Sequence, residues 1–309
     1  MSEASEFKRF QPMVRAIIRH HFGTSPKKIA AIGGGLTNAV FRVEHPEGPF
    51  IIRLSDEPTK INAFIKEQWA TEHARKVGVP THEILEVGNE VVGIPYMVVR
   101  ESLGTEATHH PDRLKTLHEM GKVLAKIHTI RTHGFGETFD WSNNSLSLNE
   151  TWRDFLRNEI KVAERLETLK RHRMLAPRQI ASIRRTLKET ESWDKPPALN
   201  HGDMRLKNVL ADADGKIITI LDWENCLSAV APYWDLSVAL HDLSIDAKEE
   251  LLAGYGMTGR QYRHIAAEVK AINVINYAPH IELMAKAKDK AGIERLRMRL
   301  SGAMDLYSV

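Results

Sequence analysis

Cysteine is almost missing from this chain. Cys226 is the single thiol in 309 residues, which excludes an internal disulfide framework and leads us to expect a reducing, cytoplasmic setting. Long apolar runs are missing too: no stretch reaches the length needed to cross a membrane, and the polar opening Met1 to Lys8 has no apolar h-region or cleavage pattern. Charge of one sign is also lacking. Against 43 Lys and Arg stand 40 Asp and Glu, a net +3, so neither nucleic acid nor a membrane surface is expected as a partner. The Arg- and Lys-rich stretch 153–185 is interrupted by glutamates at helical spacing and reads as a solvated helix face. Pairs such as His20-His21 and His109-His110 have no HExxH or Cys/His ligand spacing, so no zinc site is expected. No internal repeat occurs. What remains is the composition of a soluble globular protein, 42% hydrophobic and 27% charged, long enough for two domains or lobes.

The chemistry concentrates in His201-Gly202-Asp203-Met204-Arg205-Leu206-Lys207-Asn208 and in Leu221-Asp222-Trp223-Glu224. An acid, a cation, an amide and a second acid follow in the order that phosphoryl transfer from a metal-nucleotide requires. Such a transfer leaves the protein little covalent chemistry, so positioning and charge neutralisation dominate. Asp203 is the candidate base for an attacking hydroxyl, and Arg205 can reach the phosphoryl oxygens. Asn208 to Ala211 reads as a strand, Asp212 to Lys216 as a turn, and Ile217 to Leu221 as the buried return strand. That hairpin carries Asp222 back beside Asn208. Two oxygen ligands suit magnesium, which keeps water and phosphate in its shell.

Upstream, Ile32-Gly33-Gly34-Gly35-Leu36-Thr37-Asn38-Ala39-Val40 fits the pattern glycine-x-glycine-x-x-glycine-x-valine, with Asn38 at the third glycine. Asparagine tolerates positive φ, and backbone N–H groups in such a turn can approach phosphate closely. Pro49 to Leu54 reads as a strand bearing the cation Arg53. Thr59 to Val77 reads as a helix carrying Glu67 and Glu72, and Gly93 to Arg100 as an apolar strand. Phe7 to Phe22 reads as an amphipathic helix, Thr151 to Lys170 and Pro177 to Ser192 as two more, and the chain from Tyr233 onward as helical.

Histidine-x-aspartate with asparagine five residues on is similar to the protein-kinase catalytic loop. His201-Gly202-Asp203, Asp222-Trp223-Glu224 in place of aspartate-phenylalanine-glycine, and Ala231-Pro232-Tyr233-Trp234-Asp235-Leu236 resemble the aminoglycoside phosphotransferase and choline kinase superfamily. The resemblance implies an α+β, two-lobed protein-kinase-like fold. Residues 1–101 would form a nucleotide-binding lobe, a small antiparallel sheet with one main helix and a leading helix. Residues 102–309 would form a larger helical lobe with the catalytic loop and the acceptor site. It further implies ATP or GTP as co-substrate and Mg2+ held by Asn208 and Asp222. The phosphates would lie under Gly33, Gly34, Gly35, Thr37, Asn38 and Val40. Arg53 would meet the phosphates and pair with Glu67, with Glu72 as the alternative, and backbone groups of Val98, Val99 and Arg100 would meet adenine.

The implied activity is ATP-dependent transfer of the γ-phosphoryl group to a hydroxyl of a small polar acceptor. The alanine-proline-glutamate element of protein kinases is missing, since Ala231-Pro232 runs into Tyr233-Trp234-Asp235. The segment from Gly134-Phe135-Gly136 to Thr151-Trp152-Arg153-Asp154-Phe155 looks like hygromycin-type phosphotransferases, which makes an aminoglycoside the leading expectation. The loop Asp203 to Asn208 resembles that of some acyl-group kinase-like domains, and a choline-like amine, sugar or hydroxyacyl metabolite is the alternative. A protein kinase and an inactive nucleotide-binding module are two further classes. A polycationic acceptor calls for acids, and Glu224, Asp242, Asp246, Glu282, Asp154 and Glu159 are the candidates.

Overall fold

A computed structural model describes residues 3–32, 39–139, 146–241 and 243–306. It starts with helix α1 (Glu3–Phe22) and strands β1 (Lys28–Ala31), β2 (Ala39–His45) and β3 (Gly48–Leu54). Helix α2 (Lys60–Lys76) and strands β4 (Ile84–Gly88) and β5 (Tyr96–Arg100) follow. The five strands make one antiparallel sheet in the order β1-β2-β3-β5-β4. Alternation along the strands assigns each face its task. Phe50, Ile52 and Leu54 of β3 and Tyr96 and Val98 of β5 pack against Phe10, Val14, Ile17 and Ile18 of α1. Those helix positions recur at i, i+4, i+7 and i+8, one apolar stripe, and burying each contributes roughly 1.5–3 kcal/mol. The intervening Met97 and Val99 form a second cluster with Ile84 and with Phe64 of α2. Arg53 belongs to this second face.

The rest of the chain is mostly helical. It comprises β6 (Thr105–Glu106), α3 (Arg113–Ile127), the helical turn α4 (Trp152–Asp154), α5 (Val162–Arg171), α6 (Pro177–Thr190), β7 (Ala198–Asn200), β8 (Val209–Ala211), β9 (Ile217–Ile220) and β10 (Leu227–Ala229). Helices α7 (Tyr233–Ala239), α8 (Ile245–Tyr255), α9 (Gly259–Arg263), α10 (Ala266–Ile275), α11 (Ala278–Lys286) and α12 (Lys290–Leu306) complete it. One large core joins Leu117, Trp152, Trp223 and Ile272 and also takes in Ala70 and Ala74 of α2. Helix α2 is therefore packed into both lobes. Ile220 N–H donates to Pro80 O at 2.8 Å, a second tie between them.

Two expectations need correction. The helix read over 151–170 is interrupted: a π turn spans Phe155–Glu159, and Lys161 adopts a left-handed conformation with φ 55°. This reset lets Phe155, Leu156 and Ile160 stay buried together with Leu166 and Leu169, while Ala163, which an unbroken helix would place on the same side, is exposed. Strands β7 and β10, which pair with each other, were not foreseen, because three residues are too few to register as alternation. Among the described residues no helix is long and apolar enough to cross a membrane.

Candidate active site

The loop His201 to Asn208 is held from behind by one buried carboxylate. Asp235, at the start of α7, accepts the backbone N–H groups of His201 and Gly202, each at 2.8 Å, and lies 3.0 Å from His128 Nε2. Burial alone would raise its pKa, but the hydrogen bonds and charge of His128 outweigh that and hold it below the usual aspartate range. His201 is also fully buried. Its Nε2 donates to Leu221 O at 3.0 Å and its Nδ1 accepts from Asp203 N–H at 3.3 Å, which fixes the neutral tautomer. Burial lowers its pKa in agreement. Gly202 sits at φ +81°, and a Cβ there would lie 1.9 Å from Asn225 O, so only glycine closes this turn.

These restraints present Asp203, 8% exposed, to the interlobe cleft. Asn208 Nδ2 donates to its backbone carbonyl at 2.8 Å and to its Oδ2 at 3.1 Å. Arg205 Nε lies 2.8 Å from Oδ1 and Lys207 Nζ 3.0 Å from Oδ2. Lys207 was given no role from the sequence, and its position four residues after Asp203 was the available signal. The β8–β9 hairpin closes as expected: Leu221 N–H donates to Asn208 O at 2.8 Å, bringing Asp222 alongside. Asp222 has φ 61°, a strained conformation for a non-glycine residue. Burial first, then the charges of Glu224 and Glu67, raise its pKa above the ordinary aspartate value. Trp223, next to it, is fully buried, packs against His201 with its ring tilted by 56° and donates to Ile220 O at 3.1 Å.

From the sheet side, Arg53 Nη1 pairs with Glu67 at 2.8 Å. Glu72 is exposed; five residues on a helix turn it about 140° from Glu67. Burial opposes ionisation of Glu67, yet Arg53 and then His82, 3.4 Å away, hold its pKa at about 2. Arg53 also reaches Glu224 at 3.3 Å, and Lys60 Nζ lies 2.9 Å from the same carboxylate oxygen. Glu224 is thus a bridge between lobes. Neither Lys60 nor His82 was anticipated: Lys60 meets Glu224 only across the lobes, and His82 meets Glu67 only once the loop after α2 folds back on that helix.

A cleft of about 1460 Å³ connects these groups, larger than the roughly 300–1,000 Å³ of a single small-molecule site. Its sheet end is apolar, with Val40, Ile51 and Val99 facing Leu210 and Leu221. Val98 and Val99 are paired to strands on both edges, and the amides of Arg100 and Glu101 donate to Glu83 O and Pro49 O. Ser102, the next residue, lines the cleft. Gly33, Gly34, Gly35, Thr37 and Asn38 fall outside the described residues, as does Asp242. Of the other candidate acids, only Glu224 lines the cleft. Glu282 pairs with Arg171 and Asp154 with Thr151. Glu159 is taken by Asn149 Nδ2 at 2.8 Å, and Asp246 stands exposed at the start of α8.

The model of the phosphotransferase enzyme family matches residues 28–268. The chain belongs to that family. Hygromycin-B 4-O-kinase of Escherichia coli is 24% identical over 181 residues, 56% of this chain and 51% of that protein, so the chain spans about half the length of the curated relative it matches. Crystal structures of aminoglycoside phosphotransferase APH(4)-Ia superpose with a TM-score of 0.70 at 17% identity, covering 96% of this chain and 99% of that one. The GDP and kanamycin complex of APH(2")-IIIa superposes at 0.67 and 14% identity, covering 96% and 99%. This member of the family therefore has the two-lobed kinase-like fold, a sheet lobe over a mostly helical one.

Proposed function

We propose that this chain is a nucleoside-triphosphate-dependent phosphotransferase acting on a hydroxyl of a small polar molecule. Residues 1–101 hold the nucleotide, and residues 102–309 supply the catalytic loop and acceptor site. The observation that carries the reading is the convergence of Asp203, Asp222 and the Arg53–Glu67 pair on one cleft, with Asn208 bonded to Asp203.

The donor set fits magnesium. The bonds of Asn208 use Nδ2, which leaves Oδ1 without an internal partner among the described residues. With the Asp222 carboxylate it offers two oxygens in a crowd of negative charge. A cation held by Asn208 and Asp222 would supply charge neutralisation for the phosphates. Arg53, held in place by Glu67, would meet the phosphates as a fixed cation. The adenine or guanine base lies between Val40, Val99 and Leu210, with the Ser102 amide as its backbone donor. Asp203, oriented by Asn208, accepts the acceptor's hydroxyl proton. The hydroxyl oxygen bonds to the γ-phosphorus as the bond to the β–γ bridging oxygen breaks, that electron pair leaves with the nucleoside diphosphate, and the proton passes on to water. Arg205 and Lys207 stand where negative charge develops.

The solved relatives are described as complexes with AMP-PNP and hygromycin B and with GDP and kanamycin, which supports both a nucleotide co-substrate and an aminoglycoside as the first acceptor to assay. Diphosphate release and transfer of labelled γ-phosphate, measured with ATP and GTP across hydroxylated acceptors, tests the proposal. Asp203→Asn should lower kcat about 10²- to 10⁴-fold with little change in nucleotide affinity. Magnesium-nucleotide binding with no transfer to any acceptor would instead leave an inactive binding module.

A further inference from the structure

The Arg53–Glu67 pair has a third member. Glu67 is fully buried, and a carboxylate withdrawn from water is costly unless it is both paired and hydrogen-bonded. Arg53 reaches it with a single nitrogen: Nη1 lies 2.9 Å from Oε1 and 2.8 Å from Oε2, while Nη2 is turned to Glu224 at 3.3 Å. One nitrogen shared between two oxygens fixes a carboxylate less firmly than the two parallel bonds of a bidentate pair. The other side chain that meets this carboxylate among the described residues is His82, whose Nε2 lies 3.4 Å from Oε1.

His82 has no competing polar contact. It is buried and lines the same cleft as Arg53 and Glu67, and neither ring nitrogen has a hydrogen-bond partner among the described residues. A buried imidazole in that state is unfavourable, and an apolar side chain would fill the space without that cost, so packing alone does not account for it. The backbone on either side of it is pinned. Ile220 of β9 donates to Pro80 O at 2.8 Å and pairs with Thr81, and Arg100 of β5 donates to Glu83 O at 2.8 Å. The ring therefore meets α2 from a fixed segment, whereas Arg53 reaches Glu67 through a long side chain. A neutral imidazole donates through one nitrogen, and Nε2–H directed at Oε1 supplies the donor that Arg53 leaves out. Burial opposes ionisation of Glu67, and after Arg53 it is His82 that counters it. Phosphate oxygens entering the cleft compete with Glu67 for the N–H groups of Arg53, and a carboxylate held from a second side keeps the cation where it is.

Resting on the nucleotide-binding part of the reading above, we propose that His82 is a positioning residue for the nucleotide, acting through Glu67 to keep Arg53 in place for the phosphates. The test is calorimetric titration of the full chain with magnesium-AMP-PNP, which needs no acceptor. His82→Phe keeps a flat ring but no nitrogen, and should raise the Kd about three- to tenfold. His82→Gln, whose amide can donate to Glu67, should recover most of that loss. In a Glu67→Gln background His82→Phe should add little, since the group it acts through has gone. If His82→Phe does not fold, His82→Leu takes its place as the variant without a ring nitrogen. An unchanged Kd in the nitrogen-free variant, an equal loss in His82→Gln, or the same loss with and without Glu67 overturns the inference while nucleotide binding stands. A wild-type chain that takes up no magnesium-AMP-PNP overturns both.

Discussion

Asp222 and Glu67 carry charge under opposite constraints. Asp222 is pushed toward protonation by burial and by Glu224 and Glu67, whereas Glu67 is kept ionised by Arg53 despite complete burial. Asp222→Ala should remove one of the two side chains proposed above to hold magnesium. The magnesium concentration for half-maximal rate should then rise by about tenfold or more, equivalent to about 1.4 kcal/mol, as a metal titration of initial rates would read. For Glu67 the sign is that of a depressed carboxylate. Its stabilisation is fully present above the ordinary value of 4.5 and is lost as pH falls toward about 2. Urea midpoints of the wild type and Glu67→Gln should therefore differ near neutrality and converge in acid. A gap independent of pH would contradict this ion pair.

At the scale of elements, α3 and α8 approach so closely that glycine is required on both. A Cβ at Gly254 would lie 1.9 Å from His118 O, and one at Gly121 would lie 2.2 Å from Leu251 O. The obstacles are backbone atoms, which cannot rotate away as a side chain can. Gly254→Ala gains up to about 1 kcal/mol of intrinsic helix propensity, but overpacking costs about 1–3 kcal/mol or more. We expect a net loss of unfolding free energy, measured by urea denaturation; a more stable variant would mean that the helices can separate freely. The contact matters for the site because α3 ends at Ile127, next to the His128 that bonds Asp235.

Across the whole molecule, Glu224 receives Arg53 and Lys60 from the opposite lobe. Lys60→Met and Glu224→Gln should therefore be non-additive for nucleotide affinity, with a coupling of about 0.5–3 kcal/mol in a double-mutant cycle read by fluorescent-nucleotide titration. Additive effects would mean that the bridge does not set lobe closure. The two lobes also share one core through Ala70 and Ala74 of α2, so interlobe movement must carry α2 with it or deform that packing.

The sequence by itself determined the chemistry of the central loop. Asp203, Arg205 and Asn208 lie within six residues, and Asp222 returns through a short hairpin whose turn and alternating strands are local signals, so backbone hydrogen bonding alone brings them together. Strand alternation likewise set Arg53 apart from the apolar face of β3. Only the tertiary structure selected Glu67 over Glu72, made Asp235 the anchor of the loop, and set Glu224 against Arg53 and Lys60 of the other lobe. The reason is physical: short-range spacing encodes turns and hairpins, but which face of a helix meets a cleft depends on packing between segments far apart in the chain, and no local pattern records that docking.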